Sequence, residues 1–255
     1  SRSPDLHLAA YRALGLDWTY ERIECPAGAL AGIVDGLPDE YVGLSVTMPG
    51  KAEALAYAVE KTDRAVLVGS ANTLVRIDGG WRADCTDVDG VRGALADAGV
   101  VSLRGSAAVV IGAGGTARPA LLALAELGMG SVSIVARSVE RARSAIELAE
   151  RFGVTVRYVP FDAAALAEVC GGAAVAVSTA PADAVAALTD SIAQTPVVLD
   201  AIYNPWPTPL ATAVLASGGT VVSGLDMLLN QAFGQVEQFT GRPAPKREMA
   251  AALGR

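Results

Sequence analysis

Ser106-Ala107-Ala108-Val109-Val110-Ile111-Gly112-Ala113-Gly114-Gly115-Thr116-Ala117 is the stretch on which the fold of the 255-residue chain turns. Six residues of apolar strand composition run straight into G-x-G-x-x-A, and a helical pattern leaves it toward Leu127. The glycines allow a tight turn, and the helix start that follows offers free backbone amides and the positive end of its dipole. A bare glycine pattern is weak evidence, but strand, turn, helix and a second strand at the expected interval supply its required context. Gly112, Ala113, Gly114, Gly115, Thr116 and Ala117 are therefore candidate contacts for the pyrophosphate of a dinucleotide.

Downstream, the pattern predicts a strand over 131–136, a helix over 138–152 and strands over 154–158, 174–177, 197–200 and 220–222. Alternating apolar strands and helices predict a parallel sheet covered on both faces. The strand after the glycine turn ends at Ala136-Arg137-Ser138. An enzyme using NAD usually carries an acid there for the ribose 2′-hydroxyl. Here the acid is absent and Arg137 can face a 2′-phosphate, with Ser138 beside it and Arg141 one turn later, which points to NADP. The tail reads as a long helix over 225–239 and a short one within 242–253.

Upstream, Ser3-Pro4-Asp5 starts a helix with Ser3 as its cap and Gly15 as its stop. Residues 17–25 alternate as a strand, 27–37 form a weak helix, and 41–47 a strand leading through Pro49-Gly50 into a helix at 50–59. Two such units in sequence predict a parallel sheet here too. Residues 69–85 fold as a hairpin turning at Asp78-Gly79-Gly80, and Thr86 caps a helix over 87–98. Lys51 thus arrives at the first turn of a helix, where the dipole disfavours an ammonium. If partly buried it could exchange a proton near neutral pH, a lowering that an adjacent Asp87 would oppose. Asp87, at a helix start, is favoured as a carboxylate. His7, the single histidine, reads as structural, and Asp89 as a cap rather than a rival to Asp87.

The chain is long enough for two α/β domains: residues 1–98, completed by helices from 228–255, and a Rossmann-type dinucleotide-binding domain over 99–227. With 52% hydrophobic residues a core is easily built, and a net charge of −7 disfavours nucleic acid and anionic membranes. Three scattered cysteines suggest reduced thiols and a cytoplasmic setting, with no metal cluster. The uncharged run 201–225 is broken by prolines and cannot span a membrane. The opening Ser1-Arg2-Ser3-Pro4 is not a signal peptide.

Taken together, several motifs resemble the shikimate dehydrogenase family, and within it the actinobacterial, mycobacterium-like branch. They are Ser1-Arg2-Ser3-Pro4 with His7; Ser45-Val46-Thr47-Met48-Pro49-Gly50-Lys51; Gly69-Ser70-Ala71-Asn72-Thr73; Thr86-Asp87-Val88-Asp89-Gly90; Gly112-Ala113-Gly114-Gly115; and Gly224-Leu225-Asp226-Met227-Leu228 with Gln231. The resemblance implies an N-terminal α/β substrate domain and reversible, NADP-dependent reduction of 3-dehydroshikimate to shikimate. It implies that Ser1 and Ser3 hold the substrate carboxylate and that Thr47, Asn72 and Gln231 bind hydroxyls. Lys51 and Asp87 would be the catalytic pair, Tyr203 would lie near the substrate, and Gly224 and Met227 would flank the nicotinamide. Ser45 and Cys85 stand where the family usually has asparagine, Gly50 replaces a larger residue, and Ala136 replaces the asparagine of the cofactor turn. The family's strand and turn before S-x-S-P are not among these residues.

Ketone reduction by hydride needs a proton for the developing alkoxide, and alcohol oxidation needs one removed. Lys51 and Asp87 can share that work if they are close. Quinate or aminoshikimate as substrate, or a non-catalytic ligand-sensing role, are the alternatives. A monomer or homodimer is expected, with a small molecule as the only partner.

Overall fold

The computed structural model describes residues 2–255. It divides into two compact units: the residues up to Gly90 together with Leu228–Arg255, and Val91–Met227.

The second unit follows the expected α/β pattern. Strands β5 (Ala107–Ile111), β6 (Ser131–Val135), β7 (Thr155–Val159), β8 (Val175–Ser178), β9 (Val197–Asp200) and β10 (Thr220–Ser223) form one sheet. Its order is β10-β9-β8-β5-β6-β7, with every neighbouring pair parallel. The order reverses between β5 and β8, which is the switch point where open α/β sheets take ligands. Helices α6 (Ala117–Glu126) and α7 (Val139–Glu150) follow β5 and β6. Four further helices, α8 (Ala163–Gly171), α9 (Ala182–Val185), α10 (Thr189–Ile192) and α11 (Pro209–Ala216), complete the unit; the apolar pattern had marked only the strands among them. One face of the sheet is closed by a core that includes Val109, Ile111, Leu166, Ile192, Leu210 and Val214.

The first unit departs from its expected topology. Its strands are β1 (Gly43–Ser45), β2 (Glu60–Lys61), β3 (Thr73–Ile77) and β4 (Gly80–Asp84), in the order β1-β3-β4-β2. β1 and β3 pair antiparallel, as do β3 and β4, and only β2 runs parallel to β4, so the sheet is mixed rather than parallel. The hairpin, not a crossover strand, lies against β1. Residues 17–25 form no strand, and among the described residues they pair with none. Instead a cavity of about 680 Å³ is lined by this segment on one side and by residues around β1 on the other.

The helices of this unit are α1 (Ser3–Ala13), α2 (Leu30–Asp35), α3 (Lys51–Tyr57), α4 (Asp63–Val68) and α13 (Lys246–Ala252); α5 (Asp87–Asp97) and α12 (Gly224–Thr240) run across the division. Ser3 is the first helical residue of α1 rather than its cap, since Arg2 occupies that place. α1 packs with the part of α12 that lies in this unit and with α13 through Leu6, Ala10, Leu229, Val236 and Met249. α2 and α3 cover the sheet through Leu30, Val34, Ala54, Leu74 and Trp81.

Gly43 is needed for this packing: a Cβ there would lie 2.2 Å from the Phe239 ring. Gly32, on the open side of α2, meets nothing within 4 Å. Gly43→Ala is therefore expected to cost about 1–3 kcal/mol through overpacking, whereas Gly32→Ala should be neutral or stabilise by up to about 1 kcal/mol. Denaturant unfolding of the two variants checks the contrast; equal effects would contradict it.

Candidate active site

β1 ends at Ser45, and the chain turns through a cis Met48-Pro49 bond into α3, with Gly50 as N-cap and Lys51 as first helical residue. Gly50 is buried, and a side chain there would press on Leu30 and Val46 at 3.2 Å. The turn buries Lys51 to 9% exposure and sends its Nζ to Asp87 Oδ2 at 2.5 Å. Asp87 opens α5 and is itself 5% exposed.

The other carboxylate oxygen is also held. Asn72, just before β3, places its Nδ2, with two protons to give, within reach of three acceptors: Asp87 Oδ1 at 3.1 Å, Gln231 Oε1 at 3.0 Å and Thr86 Oγ1 at 2.9 Å. Its Oδ1 accepts the Thr86 backbone N–H at 2.8 Å. Gln231, on α12, anchors its own amide by donating to Leu228 O. Lys51, Asn72, Asp87 and Gln231 thus form one buried cluster. Thr86 belongs to it as well, and its hydroxyl faces Asn72 and Gln231.

The lysine is not primed for deprotonation. Burial alone would lower its pKa, but the charge and hydrogen bond of Asp87 outweigh burial and leave it raised above the ordinary value of 10.5. The helix dipole that suggested the opposite is a fraction of a charge, whereas Asp87 is a full charge in contact. Cys85 is fully buried and its thiol is pushed up to about 12, first by burial and then by Asp87, so it is a packing residue rather than a nucleophile.

Asp89 is separated from this chemistry by Arg64, which donates to Asp89 at 2.6 Å and grips Asp84 through two nitrogens. Asp84 is held near 2: burial would raise its pKa, but the Arg64 guanidinium more than offsets that. Ser3 hydrogen-bonds Tyr20, which also reaches Ser45. Thr47 is exposed and lines the cavity described above, which does not include Lys51, Asn72, Asp87 or Gln231. Ser1 lies outside the described residues. Tyr203 belongs to the second unit, where its ring and Ala201 O would clash with any Cβ at Gly224. Met227, in the same unit, is buried.

At the switch point, Gly112 has φ +104°, and a Cβ there would lie 2.6 Å from Thr179 Oγ1. Only glycine fits. Among the described residues, the backbone N–H groups of Ala113, Gly114, Gly115 and Thr116 make no backbone hydrogen bond, and no side chain caps α6. Gly114 borders open space. Free amides at the start of a ten-residue helix fit a pyrophosphate. β6 ends at Val135 and is followed by buried Ala136 and by exposed Arg137 and Arg141, while Ser138 spends its hydroxyl capping α7. No acid occupies the place of a ribose-binding carboxylate.

Three family models cover most of the chain: the shikimate dehydrogenase substrate binding domain over residues 1–74, shikimate/quinate 5-dehydrogenase over 94–199, and the shikimate 5′-dehydrogenase C-terminal domain over 224–253. The crystal structure of Mycobacterium tuberculosis shikimate dehydrogenase is 56% identical, with a TM-score of 0.94 over 100% of this chain and 94% of that one. The chain belongs to the shikimate dehydrogenase family. Shikimate dehydrogenase (NADP(+)) of Methanopyrus kandleri is 34% identical over 99% of this chain and 90% of its own length. The Thermus thermophilus shikimate 5-dehydrogenase, solved in complex with NADP(H) and shikimate, is 30% identical with a TM-score of 0.82 over 100% of this chain and 94% of that one.

Residues that motif reading passed over are Gln235, Tyr20 and Arg64. Gln235 lies four residues after Gln231, one helical turn on, and that spacing was the available signal. His7 is buried and touches Gln235 and Tyr11, and burial lowers its pKa from 6.5 to about 4. A group depressed on folding stabilises above its unfolded pKa and ceases to do so as pH falls toward the folded one. Folding stability should therefore drop by about 3 kcal/mol between pH 6.5 and 4, and His7→Gln should remove that slope. Denaturant titrations of both proteins across this range test it; identical pH profiles would contradict the assignment.

Proposed function

We propose that the chain catalyses the NADP-dependent, reversible reduction of 3-dehydroshikimate to shikimate, with Lys51 and Asp87 as its acid–base pair. The observation that carries the assignment of roles is the buried Lys51–Asp87 contact, with the second carboxylate oxygen held by Asn72. Bound NADPH supplies the hydride for the ketone carbon.

In the reducing direction Lys51 is already in the required state. Its ammonium donates a proton to the developing alkoxide, while Asp87 holds the Nζ and stabilises its charge before transfer. In the oxidising direction the same nitrogen, or the pair acting together, accepts the hydroxyl proton. Asn72 and Gln231 carry amide groups able to hold neighbouring hydroxyls, and a buried site built for hydroxyls rejects analogues that lack them. Ser1, Ser3, Thr47 and Tyr203 keep the substrate roles that the family pattern gives them.

On the cofactor side, Gly112 to Ala117 receive the pyrophosphate, Arg137 and Arg141 the 2′-phosphate, and Gly224 and Met227 the nicotinamide. Ser138 acts through α7, whose first turn it caps. The three free thiols support a cytoplasmic protein. Among the described residues no helix is long and apolar enough to cross a membrane. A small-molecule substrate and a monomeric or homodimeric state complete the reading.

NADPH formation from shikimate and NADP⁺ is the test. Lys51→Ala should lower turnover by on the order of 10²-fold or more with little change in NADP⁺ binding, and Asp87→Asn should weaken both turnover and shikimate binding. Wild-type turnover by Lys51→Ala would overturn the role of the pair. Arg137→Ala should raise the KM for NADP⁺ about tenfold, as expected for a lost charge-assisted contact, and leave the KM for NAD⁺ unmoved. Equal effects on both cofactors would remove Arg137 from the 2′-phosphate site.

A further inference from the structure

Gln235 touches none of the groups assigned above to proton transfer, yet it is 1% exposed and uses every hydrogen-bonding position of its amide. We propose that Gln235, braced by His7, is a positioning residue that holds Asn72 in the orientation needed to fix the Asp87 carboxylate. The inference rests on the shikimate dehydrogenase reading of the site.

Hydrogen-bond polarity fixes the direction of the whole chain of contacts. The Gln235 Nε2 lies 3.0 Å from Asn72 O and 3.0 Å from Thr73 Oγ1. A backbone carbonyl can only accept, so the NH₂ end must face it, and the carbonyl end must face Ser45 and His7. Oε1 then accepts from Ser45 Oγ at 2.9 Å and from His7 Nε2 at 3.2 Å. His7 consequently carries its proton on Nε2 and accepts from the Tyr11 hydroxyl at Nδ1. A neutral imidazole suits its depressed pKa.

Having accepted from Gln235, the Thr73 hydroxyl is free to donate to Asn72 Oδ1 at 3.0 Å. That bond and the Thr86 N–H keep the Asn72 oxygen turned away from Asp87 and its NH₂ turned toward it. Gln235 thus restrains Asn72 twice, at its backbone carbonyl and, through Thr73, at its side chain. Without it the Thr73 proton loses its imposed direction, and the backbone that carries Asn72 loses an anchor. The Asp87 oxygen opposite Lys51 is then less firmly held. Small misplacements of this kind are expensive in catalysis.

Ser45 has its part in the same chain. Its hydroxyl shares the Gln235 carbonyl with His7, so that residues from β1 and α1 both direct the amide.

Wild-type shikimate oxidation is measured first; if there is none, the functional reading itself falls. With an active wild type, Gln235→Leu should lower kcat about tenfold or more, with the affinity for NADP⁺ unchanged. His7→Leu, which removes the donor, should lower kcat in the same sense. His7→Gln, whose amide can donate to Gln235 Oε1 and accept from Tyr11, should restore it. If Gln235→Leu does not fold, the His7 pair alone decides. Wild-type kcat in Gln235→Leu would overturn the inference, as would equal kcat losses in His7→Leu and His7→Gln that merely follow a loss of thermal stability.

Discussion

The contact between Lys51 and Asp87 is the constraint around which the first unit is arranged. Two opposite charges removed from water are costly unless the pair and its remaining lone pairs are satisfied. Here β1 and its turn deliver the ammonium, the start of α5 delivers the carboxylate, and Asn72 takes the second oxygen. A buried ion pair of this kind is weak evidence for stability. Hydrophobic residues of similar volume would serve a core as well, so the pair and its amide supports make sense as chemistry. The raised lysine pKa follows from the same contact and matches a group that begins ketone reduction in its protonated form.

The second unit solves a different problem with mostly backbone means. An anion held by amides at a helix start needs no charged side chain, only a turn that leaves those amides free. Gly112 achieves this with a backbone angle and a close approach to Thr179 that no other residue tolerates. After β6, Arg137 stands exposed at the place an NAD enzyme keeps for an acid, which is what the proposed 2′-phosphate contact needs.

What was legible in the sequence was local. The strand, glycine turn and helix at 106–127 are specified by neighbours in the chain, and so are the hairpin at 73–84 and the two closing helices. The first sheet is mixed rather than parallel because β1 pairs with a hairpin strand about thirty residues away, a choice made by packing rather than by the connection between consecutive elements. Residues 17–25 alternate as a strand should, yet alternation describes a face and not a partner. The sequence names Asp87 as the partner of Lys51, thirty-six residues away, but which of burial and carboxylate wins depends on how close the two groups come, and that is set by the fold. Asn72, Thr86, Asp87 and Gln231 were legible as motif members, whereas Gln235 acquires meaning only when α12 meets Asn72 and Thr73.

Asp87 holds Lys51 as an ammonium. NMR titration of the Lys51 side chain, followed at Cε and Nζ in the wild type and in Asp87→Asn, tests it most directly. The wild-type lysine should remain protonated beyond the ordinary pKa of 10.5, and in Asp87→Asn its pKa should fall below that value because burial then acts unopposed. A wild-type Lys51 that titrates near neutrality, or one whose pKa is unmoved by loss of the carboxylate, would contradict the account.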